Sequence, residues 1–155
     1  MEMDKELHRI AITCIIYNDE GKYLVTKRSP HKKMFPSKWT VPGGGLSSDD
    51  YTGTPETHEG GGWYGAVENC LRREVKEEVN LEIGQLQYLL DLAVLRPGGA
   101  PAVVLSFYAP YVSGEVQLDE DAVEYRWITA DEAKELDLIS GIDDEIAQVD
   151  ALLKK

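Results

Sequence analysis

Cysteine is scarce: the 155-residue chain has only Cys14 and Cys70. They have no CxxC spacing and make no disulfide framework, which excludes a disulfide-stapled scaffold. Both lie in apolar-periodic stretches, so buried, reduced thiols and a reducing compartment are expected. Basic residues are also few, 16 Lys and Arg against 28 Asp and Glu, for a net charge of -12. That balance excludes a non-specific nucleic-acid binder, which carries a basic face, and no large nucleic acid is expected as a partner. It does not exclude a small phosphorylated substrate, because bound cations reverse the local sign of the field. No apolar run is long enough to span a bilayer. The opening MEMDKELHRI lacks the apolar segment of a signal peptide. The expectation is a soluble, cytoplasmic protein with no membrane partner. His31 and His58 have no zinc-ligand spacing and read as surface residues.

What the chain does have is 43% hydrophobic residues, enough for the core of one domain of ordinary size. HRIAITCIIY (8–17) and KYLVTKR (22–28) read as strands joined by the turn NDEG. A basic loop follows (29–38), then WTVPGGG (39–45), an extended piece entering a glycine turn. Residues 46–62, LSSDDYTGTPETHEGGG, are almost free of aliphatics and read as a surface loop. A helix is predicted over 63–79, with Asn80 as its left-handed terminator. Strands are predicted at 86–96, 102–112 (edged or broken near Pro110) and 125–129. PGGAP (97–101) and an acidic loop (113–124) separate them. Short and longer helices are predicted at 130–136 and 143–155. The pattern is one α/β or α+β domain spanning 1–155, with a mixed sheet and helices packed on it.

The helix contains LRREVKEEVN (71–80). At about 100° per residue, Ala66, Val67, Cys70, Leu71, Val75 and Val79 form one apolar face. Asn69, Arg72 and Lys76 gather opposite, toward water. Glu74 and Glu78, one turn apart, fall inside the apolar sector, and Glu77 lies at its edge near Arg73. Two carboxylates on a core-facing stripe repel one another and are costly to bury unpaired. A surface helix laced with Glu/Lys pairs is the alternative for such a string. Stabilisation by Arg73, or better by a divalent cation, accounts for the inward pair. Carboxylate sites with spare water positions suit Mg²⁺ or Mn²⁺.

The chain resembles the Nudix hydrolases, whose signature is G-x5-E-x7-R-E-U-x-E-E-x-G-U with U aliphatic. Arg73, Glu74, Val75, Glu77, Glu78 and Leu81 match its second half. Trp39, Pro42, Gly43 and Gly44 match the run that leads into it, and YRWIT followed by ADEA fits the later pattern. There are three departures. The signature's first glutamate falls on Gly65. Gly44 and Gly65 are 21 positions apart where the signature has six, an insertion of 15 residues. Asn80 replaces the late glycine. Glu56 or Glu59, inside the insertion, are the candidates to replace the missing acid.

The resemblance implies an α/β/α sandwich and Mg²⁺- or Mn²⁺-dependent hydrolysis of a nucleoside diphosphate linkage. A nucleoside triphosphate or related nucleotide is the first expectation, with release of the monophosphate. The compact length favours it, because members handling ADP-ribose often carry an added N-terminal dimerisation region. ADP-ribose or a nucleotide sugar is the alternative, and a non-catalytic nucleotide sensor is another. Glu74 and Glu78 are the expected metal ligands, with Glu77 as a further ligand or water-activating base and Gly44 offering a carbonyl. Arg73 is expected to orient a carboxylate. Glu120 or Asp121 would supply an additional acid, against a solvated acidic loop as the alternative. Arg28 and Lys38, in a cluster with Lys32 and Lys33, are expected to bind phosphate. Tyr51, Trp63 and Tyr64 either stack on a base or pin the insertion. The insertion is expected to form a flap over the substrate, and a homodimer stays an open option.

Overall fold

The alternating pattern of residues 8–17 produces strand β1, Arg9–Tyr17, in a computed structural model that describes residues 5–96 and 98–155. Ile12, Cys14 and Ile16 point to one side of the sheet and Ile15 to the other, as a period of two requires. Asn18 closes the turn by accepting from the N–H groups of Glu20 and Lys22, both at 3.0 Å. Strand β2, Tyr23–Arg28, follows. The two strands pair at Tyr17↔Tyr23 and then diverge.

The predicted extended piece 39–45 is split. β3, Trp39–Thr40, pairs with the edge of β2 that faces β1, since β8 takes the other edge, while β4, Gly43–Gly45, pairs antiparallel with β1 at Ala11–Thr13. The splay between β1 and β2 thus receives the glycine strand, and that delivers Gly43 and Gly44 to the middle of the molecule. On the other edge of β1 lies β7, Ala102–Ser113, parallel to it from Arg9↔Ala102 to Tyr17↔Pro110. β6, Gln87–Val94, is antiparallel to β7, and β8, Ala122–Ile128, is antiparallel to β2. A short β5, Glu82–Ile83, which the sequence did not signal, pairs with the end of β7. Pro110 does not break β7. It lies beyond the last β6 pair, Gln87↔Tyr108, so its missing N–H interrupts no bond to β6. Pro97, within the predicted PGGAP turn, lies outside the described residues.

Helices cover both faces of this mixed sheet. The short α1, Asp49–Thr52, precedes α2, Ala66–Val79, which seals one core with Ile12, Cys14, Leu24 and Ala109. Two further helices, α3 at Ala130–Ala133 and α4 at Ile142–Leu153, close the opposite core over Ile15, Tyr23, Val25 and Ile128. The arrangement is the expected α/β/α sandwich. α2 starts at Ala66 rather than at Trp63, because Gly65 takes a left-handed conformation at its N-cap. Among the described residues no helix is long and apolar enough to cross a membrane.

Candidate active site

α2 is set by its ends and by one face. Cys70, Leu71, Val75 and Val79 are buried against the sheet, and Asn80 terminates the helix at φ 62° with its N–H on the Lys76 carbonyl. This packing fixes the rotation of the helix and aims Glu74 and Glu78 at the glycine strand. The Gly43 N–H donates to Glu78 Oε2 at 3.1 Å. The Glu74 carboxyl lies so close to Gly44 that a Cβ at that position would sit 2.5 Å from Glu74 Cδ. Only a glycine allows the approach.

The two carboxylates are electrostatically stressed. Burial pushes Glu78 up to about 8, and the charges of Glu74, Asp119 and Asp121 add to it against the single opposing Gly43 N–H. Glu74, with 18% of its side chain exposed, is also raised by burial, partly relieved by Arg73. Arg73 is the local cation. Its Nη2 donates to Glu74 Oε1 at 3.1 Å and its Nη1 to Glu77 Oε2 at 2.9 Å, so one guanidinium fork spans two acids of the motif. Nη2 also donates to Asp50 of α1. Arg72, expected to face water, is instead half-buried. It bonds the Ile83 and Gly84 carbonyls at 2.7 and 2.9 Å and ties α2 to β5.

The acidic loop brings Asp121, one of the two expected acids, and the unexpected Asp119 within electrostatic reach of the motif. Asp119 and Asp121 are the loop acids whose charges reach Glu78; both Glu120 and Asp121 are exposed. Asp119 is half-buried, its backbone N–H on the Glu78 carbonyl at 3.3 Å. Of the basic cluster, Lys32 reaches this loop, with Nζ 3.1 Å from Asp121 Oδ1. Lys38 is paired with Asp137 at 2.7 Å, and Arg28 donates through Nε to the Met34 carbonyl at 3.0 Å.

The insertion is more ordered than a polar loop. Tyr51 and Trp63 pack with ring centroids 5.1 Å apart, Trp63 Nε1 donates to the Thr54 carbonyl at 3.0 Å, and the Tyr64 hydroxyl meets His58 Nδ1 at 3.1 Å. These contacts pin the segment. Glu56 and Glu59 are exposed, and the acid that reaches the motif from the insertion is Asp50, with 8% of its side chain exposed. Sequence reasoning missed Asp50 because nothing local distinguishes it from the neighbouring polar residues. It missed Asp119 by one position, since a loop's facing residue follows no period.

The donors around Glu74 and Glu78 are all hard oxygens: two carboxylates, the backbone of Gly44, and the nearby Asp119 and Asp121. That set of crowded acids, only partly offset by Arg73 and Lys32, fits Mg²⁺ or Mn²⁺ and not a soft metal. Among the described residues no three His, Cys, Asp or Glu side chains converge as they stand on one ion-sized point. Glu74 leans to Arg73 and Glu78 to the Gly43 N–H. Both cysteine thiols are buried and pushed up, to about 12 for Cys14 and about 11 for Cys70, so neither offers a thiolate.

A family model described as NUDIX domain matches residues 7–149. The nucleoside triphosphatase NudI of Klebsiella pneumoniae is 25% identical over 137 residues, covering 82% of this chain and 86% of that protein. An isopentenyl-diphosphate Delta-isomerase of the same organism is 29% identical over 81% of this chain, which spans only 63% of that longer enzyme. Among solved structures, the MutT protein of Methanosarcina mazei Go1 superposes with a TM-score of 0.72 at 20% identity, over 99% of this chain and 100% of the other, which is a likeness of fold.

Proposed function

The chain belongs to the NUDIX domain family as a hydrolase of pyrophosphate bonds, and from that premise we propose that it cleaves a nucleoside triphosphate to the monophosphate and pyrophosphate with Mg²⁺ or Mn²⁺. The observation that carries the reading is the stacked pair Glu74 and Glu78, facing Gly43 and Gly44, with Glu78 pushed up to about 8 by burial and, beyond that, by the neighbouring acids. The named relatives both act on groups that carry a diphosphate, and NudI, a nucleoside triphosphatase, is matched over more of its length than the isomerase.

In this reading Glu74 and Glu78 bind the cation, with the Gly44 carbonyl beside them. A bound divalent ion neutralises phosphate charge and lowers the pKa of an attacking water. Glu77, exposed but held by Arg73, would serve as the base that takes a proton from the attacking water. Arg73 keeps Glu74 and Glu77 in fixed orientations rather than touching the substrate. Asp119 and Asp121 give further anionic character next to Glu78. Lys32, beside Asp121, is the cation next to the acidic loop and joins Arg28 and Lys38 as a candidate to bind phosphate.

The test is a hydrolysis panel of nucleoside triphosphates, damaged nucleotides and nucleotide sugars, with and without Mg²⁺ or Mn²⁺. Metal-dependent release of a nucleoside monophosphate and pyrophosphate from a triphosphate is expected. Preferential cleavage of ADP-ribose would move the substrate to the nucleotide sugars. No turnover anywhere in the panel would favour a nucleotide sensor.

A further inference from the structure

We propose that Asp50, carried by the inserted segment, is a positioning residue that orders Arg73 and through it the acids Glu74 and Glu77. The proposal rests on the reading of those two glutamates as catalytic groups. Three observations lead to it. First, the position at which the signature carries its first glutamate is Gly65, held at φ 76°, a conformation that L side chains rarely adopt. The entry to α2 has therefore been rebuilt around a glycine, and no carboxylate comes from there. Second, Asp50 arrives from 23 residues before Arg73 and accepts from its Nη2. Third, Asp50 is itself fixed: Oδ2 accepts from the Ser47 N–H at 2.7 Å, and the carboxylate is 8% exposed.

The fixing matters, because a mobile acid would merely follow the guanidinium. Asp50 is bracketed by the turn at Ser47 on one side and, on the other, by the adjoining Tyr51 packed on Trp63 just before α2. The insertion thus holds one carboxylate in place while Arg73 bridges it to Glu74 and Glu77. Without Asp50, the guanidinium charge falls on Glu74 and Glu77 alone. The oxygens of those acids then turn toward Arg73 and are withdrawn from a divalent cation. A purely structural ion pair would hold α1 to α2 and leave the cation affinity alone.

The deciding measurement is the Mn²⁺ affinity of the substrate-free protein, by paramagnetic resonance of free Mn²⁺, alongside kcat, KM and thermal unfolding. Supporting acids around metal sites typically contribute about 10–100-fold. Folded Asp50→Asn and Asp50→Ala are expected to bind Mn²⁺ about 10-fold more weakly and to lose kcat by roughly 10–100-fold, with KM little changed. Asp50→Glu is expected to recover most of both. Parental Mn²⁺ affinity in folded Asp50→Asn, or equal losses in Asp50→Glu and Asp50→Ala, overturns the proposal. If the Asn and Ala variants do not fold, Trp63→Ala, which loosens the insertion without touching Asp50, must weaken Mn²⁺ binding, and parental affinity there overturns it equally. A parental protein that hydrolyses no nucleotide removes the functional reading, whereas the Mn²⁺ comparison still decides the role of Asp50.

Discussion

Two helices lie on opposite faces of the sheet, and each places an acid along its inner side. On α4, Asp150 accepts from the Tyr23 hydroxyl at 2.8 Å and pairs with Lys154 at 2.7 Å. Its carboxyl is held below the usual range, chiefly by the bonds from Lys154 and Tyr23. On α2, Glu78 is driven up to about 8, first by burial and then by three other acids, against one backbone N–H. Glu145 of α4 is also raised by burial, but Ser106 offers it a hydroxyl and no other acid presses on it. A partly buried acid is therefore not by itself a functional sign. The sign is a buried acid whose neighbours add to the cost of its charge, a cost that a bound cation would offset.

The comparison is broken most sharply by neutralising the two acids. Glu78→Gln is expected to lower kcat by at least about 100-fold in a folded protein, since even supporting residues around metal sites are worth 10–100-fold; Asp150→Asn is expected to leave turnover unchanged. Near-parental kcat in Glu78→Gln would remove the metal-ligand role. Next in size, Gly44→Ala sets a methyl against the Glu74 carboxyl and is expected to cost roughly 10–100-fold in kcat. A parental rate would mean that Glu74 is free to move without consequence.

Stability separates the two acids by sign. The folded protein keeps a proton on Glu78 up to about pH 8, whereas the unfolded chain releases it near 4.5. The folded state therefore binds more protons between those values, and metal-free stability falls as pH rises through that window. Glu78→Gln is expected to flatten this slope and raise the metal-free melting temperature at pH 8 by on the order of 5 °C. A variant with an unchanged slope would contradict the unbalanced charge. Asp150 works in the other direction. Its contribution is present above the unfolded value of 3.8 and is lost as pH falls through its lower folded value. Asp150→Asn is expected to cost about 1–2 kcal/mol at neutral pH in chemical denaturation. The smallest effect is expected at Asn80, where Asn80→Gly should shift stability by less than about 1 kcal/mol with unchanged turnover, because asparagine already tolerates the left-handed terminus.

Much of this site was legible in the chain. The inward glutamates follow from the helical period, and the strands of the core follow from β-branched alternation, because both periods are properties of local backbone geometry. Arg72 and Arg73 were not separable in this way. The wheel sent Arg72 to water, but Ile83 of β5 and Gly84 just after it present two carbonyls that capture it. Glu120 and Asp121 were expected and Asp119 was not, because a loop has no period from which to read its facing residue. Asp50 lay in a stretch with no apolar pattern at all, so nothing in its neighbours marked it as the one that folds back.

The sequence by itself determined the family, the sandwich of helices on a mixed sheet, and the turn of helix that carries Glu74 and Glu78, since these depend on spacing along one chain. The tertiary structure alone decided which distant groups meet that turn: Gly43 and Gly44 entering the splay of β1 and β2, Asp119 and Asp121 from a loop, and Asp50 from the insertion. Such meetings are set by how separate segments cross in space, and no local periodicity encodes them.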